Sequence, residues 1–364
     1  MSGKKVVVCV TIGMIGALLG CGGMNTAPAP TATPGVGFRQ TNLVADLGGA
    51  AHTDPALINP WGIAFQPGQP FFIADNNRGS AKIFDPAGNS AIPLTIGIPL
   101  SVGSTLRSHP TGDVFNPNAQ DFLVRGTPAQ FLFATADGTI STWASINGSN
   151  PSIAILARDD SASGASYTGL SILTPACCRE YLALADFRRG FIATNDTGFN
   201  LLDTPGPFKD RDLPAGFVPF NIQLIGGQVF VTYALQDASG TNPVAGAGNG
   251  FVDIFDQEGN FMRRFASNGP LNAPWGITQA PANFGPFSNA ILVGNFGDGV
   301  INAFDPASGN FLGALENASG NVIVNPGLWA LVFRNDNLAN PNTLFFTAGS
   351  ASELHGLLGT IAPN

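Results

Sequence analysis

Three tryptophan-centred blocks of this 364-residue chain recur at a regular spacing. NPWGIAF (Asn59–Phe65) and NAPWGITQ (Asn272–Gln279) are near copies, and PGLWALVF (Pro326–Phe333) is a looser third. Trp61, Trp275 and Trp329 stand 214 and 54 residues apart, four periods and one period of about 54. The intervening slots fall near positions 115, 168 and 222, and they hold PTGDVF (Pro110–Phe115), YTGLSI (Tyr167–Ile172) and PFNIQLI (Pro219–Ile225). Each is an apolar run led by Gly or Pro. A repeat of this size cannot bury its apolar face alone and must stack on its neighbours.

Every block is followed by a second strand-like run. These are FFIAD ending at Asp75, FLFATAD at Asp137, YLALAD at Asp186, VFVTYALQD at Asp237, ILVGNFGD at Asp298 and LFFTAG at Gly349. A third run carries FD, as in KIFDPAGN (Lys82–Asn89), DIFDQEGN (Asp253–Asn260) and AFDPASGN (Ala303–Asn310), and a fourth follows in FMRRFA (Phe261–Ala266) and FLGALE (Phe311–Glu316). Four short antiparallel strands per unit describe the blade of an all-β propeller, and six units predict six blades. The last unit has its third strand in HGLLGTI (His355–Ile361) and lacks a fourth, while FRQTNLVADL (Phe38–Leu47) precedes the first unit with no partner of its own. Pairing the two predicts a ring closed by its N-terminal strand, which removes both exposed edges.

Composition agrees with many strands and tight turns. There are 46 Gly, 28 Pro and 28 Phe, and only four of the 24 acids are Glu (Glu180, Glu258, Glu316 and Glu353). Asp serves turns by bonding its own backbone, whereas Glu favours helices. The chain opens on Lys4 and Lys5 and an apolar run from Val6 to Leu19. That run is too short to span a bilayer and reads as an export signal over residues 1–20. Removing it leaves 14 Lys and Arg against 24 Asp and Glu, a net charge of −10. The remaining lysines are Lys82 and Lys209, with no basic run, so no nucleic-acid partner is expected. Residues 21–37, rich in Pro, Ala and Thr, read as a flexible tether, and residues 38–364 as the propeller.

Leu18-Leu19-Gly20-Cys21 resembles the lipobox of bacterial lipoproteins. The resemblance implies cleavage before Cys21 and acyl chains on it; more than one chain is needed for stable attachment. Gly22 rather than Asp after the cysteine implies the outer membrane. The domain itself, through LINPWGIAF, DLPAGFVPFNIQ, NAPWGI, LVGNFGDG, INAFDPASG and HGLLGTI, resembles an uncharacterised family of exported bacterial propeller proteins, many ending in a PEP-CTERM sorting tail. This chain ends at Asn364 without such a tail. More distantly it resembles NHL-type six-bladed propellers, a group of binding modules, lactonases and lyases. A shared fold does not choose among those activities.

In a propeller, the turns between second and third strands and the connections into each first strand share one face. Asp75, Asn76, Asp137, Asp186, Arg188, Asp237, Asn295, Asp298, Glu353 and His355 belong to it. They form either a polar mouth for a ligand or cation, or a ring of turn-closing side chains. His52, His109 and His355 come from adjacent blades six, one and two, and are candidate zinc ligands without the spacing of a strong motif. Cys177-Cys178 falls in a turn on the opposite face, as an eight-membered disulfide ring or two thiols. No nucleophile elbow, phosphate loop or zinc-helix motif is present. The expectation is a lipid-anchored recognition or scaffold module for a glycan, peptide or protein, cofactor unspecified; the alternative is a metal-assisted lactonase or lyase.

Overall fold

A computed structural model describes residues 37–145, 148–176, 178–202 and 206–364. The leader, Cys21, most of the tether and Cys177 lie outside these residues; Cys178 is disulfide-bonded. Six sheets, each with its first strand innermost, form a six-bladed propeller. Blade one comprises Pro60–Phe65, Phe71–Asp75, Ser80–Phe84 and Ser90–Gly97. Blade two comprises Pro110–Phe115, Phe131–Thr135, Thr139–Trp143 and Ile155–Asp159. Blades four and five repeat the pattern from Phe217–Ile225 and Pro274–Gln279. The second strands are buried almost throughout, as in Phe71–Asp75 and Phe131–Thr135, because each is covered by a neighbouring blade on both faces.

Blade three departs from the pattern. It has only Tyr167–Leu173, Tyr181–Asp186 and Phe191–Asp196 among the described residues. The segment that follows carries Pro207 and Pro214, which donate no amide hydrogen bond. Phe208 instead packs on Phe255 of blade four at 5.3 Å between ring centroids. A short hairpin, Leu123–Val124 with Thr127–Pro128, is inserted in blade two.

Blade six combines Leu328–Val332, Leu344–Ala348 and Leu357–Pro363 with Phe38–Ala45 as its outer strand. The closing pair is antiparallel, from Phe38 opposite Pro363 to Ala45 opposite Leu357. Phe38 sits between the rings of Phe284 and Phe287 of blade five, at 4.8 and 6.0 Å. Gln40 and Asn325 exchange amide hydrogen bonds at 2.9 and 3.0 Å. The N-terminal strand therefore ties blade six to blade five as well as completing it.

Candidate functional site

The first residue of each innermost strand pairs with the end of the second strand, as Pro60 does with Asp75 and Tyr167 with Asp186. These ends define an upper face, and the polar residues singled out from the sequence gather there. Most of them are spent on holding chain segments together. Asp75 Oδ1 accepts the Ile58 amide at 3.0 Å, and Asn76 Nδ2 donates to the Pro110 carbonyl at 3.0 Å, joining blade one to blade two. Burial pushes the Asp75 carboxyl up to about 8. Asp137 accepts the His109 amide at 2.6 Å and meets His109 Nδ1 at 3.0 Å, which raises the histidine's pKa. Asp186 is bound by Arg189 Nε at 2.6 Å, and burial raises its pKa against that partner. The neighbouring Arg188 is exposed, and its carbonyl accepts from Gln236. Asn295 Oδ1 accepts the Asn272 amide at 3.1 Å, and Asp298 accepts Asn272 Nδ2 at 3.0 Å. Hydrogen bonds from Asn242, Thr241 and Ser239 hold Asp237 well below the usual carboxylate range.

The three histidines do not converge. His355 Nδ1 meets Asp46 Oδ2 at 2.7 Å and His109 meets Asp137, while His52 lies beside Gly88 in a turn between third and fourth strands. Among the described residues, no three His, Cys, Asp or Glu side chains are arranged to hold a metal ion. The expected shared face fails for His52 because the segment after the closing strand folds back parallel to it, with His52 opposite Val44.

The upper channel is no polar mouth. Trp61 and Trp329 stack at 3.5 Å between centroids, with Trp275 edge-on to them at 6.1 and 5.7 Å. Phe296 stacks on Trp329 at 4.4 Å, and Phe220 packs against both at 6.4 and 6.0 Å. The repeat-marking tryptophans thus plug the axis. Trp329 Nε1 donates to Asn59 Oδ1 at 2.9 Å, and Asn59 Nδ2 donates to Glu353 Oε2 at 3.0 Å.

Glu353 reaches Asn59 from a strained turn. Ala351, Ser352 and Glu353 are consecutive non-glycine residues with φ of 49°, 55° and 67°. Left-handed backbone costs such residues about 1–2 kcal/mol each. The turn presents Leu354, and a chain of contacts runs from it across the seam of blades six, one and two. Asp46, next to Leu47, binds His355; Asn77 Nδ2 donates to the Glu353 carbonyl at 2.6 Å; Arg107 donates to the Asn77 carbonyl. The three most exposed large apolar side chains described, Val102 at 81%, Leu106 at 73% and Leu354 at 66%, all stand on upper-face connections of this seam.

At the lower end the channel opens into a cavity of about 290 Å³ lined by all six innermost strands. Asp113 is the anomaly there. At the equivalent position, after Gly62, Gly169, Asn221, Gly276 and Ala330, the other blades place Ile63, Leu170, Ile222, Ile277 and Leu331. Both Asp113 carboxyl oxygens are closed off from solvent; the main-chain amides of Asp113 itself and Ala64 lie close enough to favour the charged form, but neither meets the carboxyl in good hydrogen-bonding geometry. Burial pushes this carboxyl well above its ordinary range. The sequence reading took PTGDVF only as an apolar run and missed the residue.

Asp113→Leu is expected to stabilise the protein by about 1–3 kcal/mol at pH 7, the usual penalty of a buried unpaired polar group. The leucine fits: a Cβ on Gly112 would already touch Leu170, and one on Gly276 would touch Leu331, the same neighbour relation as Gly62 to Asp113. A carboxyl with a raised folded-state pKa stabilises fully below its unfolded pKa and loses that contribution as pH rises through the folded value. The gain from Asp113→Leu should therefore shrink toward pH 4. Thermal melts at pH 4 and 7 check this, and an unchanged or lowered Tm at pH 7 would refute it.

No protein-family model matches the chain. It is 34% identical to the uncharacterised protein R648 of Acanthamoeba polyphaga mimivirus over 321 residues, covering 86% of this chain and 76% of that protein. It is 32% identical to the uncharacterised protein L690 of the same virus over 320 residues, covering 86% and 82%. Among solved structures, a glucose dehydrogenase superposes with a TM-score of 0.54 at 10% identity, covering 88% of this chain and 98% of that one. A putative oxidoreductase (glucose dehydrogenase) from Thermus thermophilus gives 0.51 at 13% identity, covering 89% and 100%. At these identities the likeness concerns the fold alone.

Proposed function

This chain belongs to the same family as the mimivirus proteins R648 and L690, and from that premise we propose that it is a recognition module working through the upper-face seam of blades six, one and two. The strained turn Ala351–Glu353 carries the reading. Strain of this kind persists where the surroundings over-determine it and gathers at ligand clamps and switch regions. Here it holds Leu354 in solvent, next to Glu353, whose carbonyl accepts from Asn77. Arg107 donates to the Asn77 carbonyl, and Leu106 and Leu47, both exposed, flank in sequence the contact residues Arg107 and Asp46, on a chain of net charge −8. Exposed apolar residues grouped this way mark interaction sites more often than scattered ones do.

The export leader and the lipobox at Cys21 support the further proposal of a lipid-anchored protein of the bacterial cell envelope, as in the exported propellers that the domain resembles. The partner is then a glycan, peptide or protein of that envelope, with no cofactor assigned. A lactonase or lyase reading draws on Asp113 alone, whose carboxyl oxygens no solvent reaches.

The test is co-sedimentation of purified residues 22–364, which hold the whole closed ring and no lipid, with outer-membrane fragments. The unmodified protein is expected to sediment, and Leu106→Asp with Leu354→Asp to lose at least tenfold in bound fraction with an unchanged Tm. Equal sedimentation of the two proteins would overturn the reading.

A further inference from the structure

Two arginines meet where blade one's upper turn touches the connection into blade two. Arg78 ends the 3-10 turn Asn76–Arg78, and Gly79 follows with a φ of 66°. A Cβ on Gly79 would lie 2.8 Å from Arg107 Cγ and 2.9 Å from the Ser108 carbonyl oxygen. Only glycine lets the two arginine-bearing segments come this close, and the left-handed φ favours it independently. Between them lies an open cleft of about 440 Å³ lined by Ile58, Asn77, Arg78, Arg107 and His109.

The cleft brings two guanidiniums together, and the one carboxylate paired with its lining, Asp137, is held by His109. Arg78 Nη2 donates to the Pro55 carbonyl at 3.1 Å, and Arg107 Nη1 to the Asn77 carbonyl. Neither guanidinium pairs with a carboxylate among the described residues, in contrast to Arg158, Arg189, Arg264 and Arg334. A guanidinium offers five N–H donors in a planar fork, so each arginine keeps most of its donors free. The acids nearby are turned elsewhere: Asp75 to the Ile58 amide, Asp137 to His109 and Glu353 to Asn59. With Nδ1 held by Asp137, His109 has Nε2 left for another partner.

We propose that the cleft lined by Ile58, Asn77, Arg78, Arg107 and His109 is an oxyanion site that takes a phosphate monoester. Two guanidinium forks match the geometry of phosphate oxygens, which accept charge-assisted, bidentate hydrogen bonds. Ile58, in the lining of the same cleft, offers an apolar contact to the organic part of such an ester. This inference rests on the recognition reading and names the chemistry of its ligand. The group comes either from a soluble ester or from a lipid headgroup.

Inorganic phosphate and vesicles of phosphatidylcholine with or without phosphatidic acid are the probes, applied to residues 22–364 at low ionic strength, where screening is weak. The unmodified protein is expected to bind at least one anionic probe and to ignore pure phosphatidylcholine. Arg78→Gln with Arg107→Gln should weaken that binding at least tenfold with Tm unchanged, while Arg188→Gln, on the same face in blade three, leaves it intact. Binding to phosphatidic acid vesicles but not to phosphate supports the site with a headgroup as its source. Binding to phosphate supports a soluble ester. No binding to either, or equal loss in the Arg188→Gln control, overturns the proposal. If co-sedimentation with outer-membrane fragments survives that failure, the recognition reading stands and only the oxyanion site falls.

Discussion

Deleting Phe38–Ala45 should leave a protein with no cooperative thermal transition, whereas deleting residues 24–36 should leave Tm within a few degrees of the intact chain. The closing strand supplies the fourth long strand of blade six, with only His52–Thr53 paired outside it. It buries Phe38, Leu43 and Val44, at 2%, 8% and 0% exposed. Each such side chain contributes about 1.5–3 kcal/mol by leaving water. Together with the lost ladder of main-chain hydrogen bonds, that is comparable with the roughly 5–15 kcal/mol that holds a domain folded. The deletion would also uncover Leu357–Pro363 as an unpaired edge, which invites association between molecules. Calorimetry of the two truncations decides the matter, and similar transitions for both would show that the strand is dispensable.

Arg334→Met should cost about 3–5 kcal/mol, the usual result of removing one partner from a buried ion pair. The fully buried Arg334 side chain lies over the rings of Phe65 and Phe71, at 4.4 and 4.6 Å. Its Nε and Nη2 donate to Asp336 at 2.8 and 2.5 Å, and Nη2 also donates to the Gln69 carbonyl at 2.8 Å. Asp336 in turn accepts the Gly68 amide at 2.9 Å. The group thus staples the turns of blades six and one on the lower face, at the other end of the closure seam. Methionine keeps the apolar contact with the rings but leaves the Asp336 carboxylate without its counter-ion.

The hydrogen bonds from Arg334 hold the Asp336 carboxyl down to about 2. A depressed folded-state pKa gives stability that is present above the unfolded value and lost as pH falls through about 2. In Arg334→Met that acid-side loss should flatten. Adding Asp336→Leu to Arg334→Met should recover part of the stability, since an apolar replacement of a whole pair is far milder than half of one. Denaturant unfolding at pH 7 provides the check. A loss below about 1 kcal/mol for Arg334→Met would place the pair among ordinary surface contacts.

The number of blades, the order of most strands and the closure were legible because a propeller encodes them locally. Strand patterns are short-range, and the period of about 54 repeats the same inter-blade contact around the ring. Trp61, Trp275 and Trp329 marked the period, and Phe38–Leu47 announced itself as a strand without a partner. The three-stranded blade three among the described residues was not foreseen, since four strands were expected in every unit.

What the side chains do was decided by the tertiary structure. The same tryptophans could have lined an open mouth; they fill the axis because six innermost strands bring their second residues to one point. Asp113 looked ordinary within PTGDVF and becomes an anomaly only when its five ring equivalents are seen to be aliphatic. The seam joins Asp46 to His355 and, through Asn77, Arg107 to Glu353, residues drawn from opposite ends of the chain. Local propensity carries no information about such a meeting. It arises when the first described strand pairs with the last, and that one long-range closure creates the surface on which the proposed function rests.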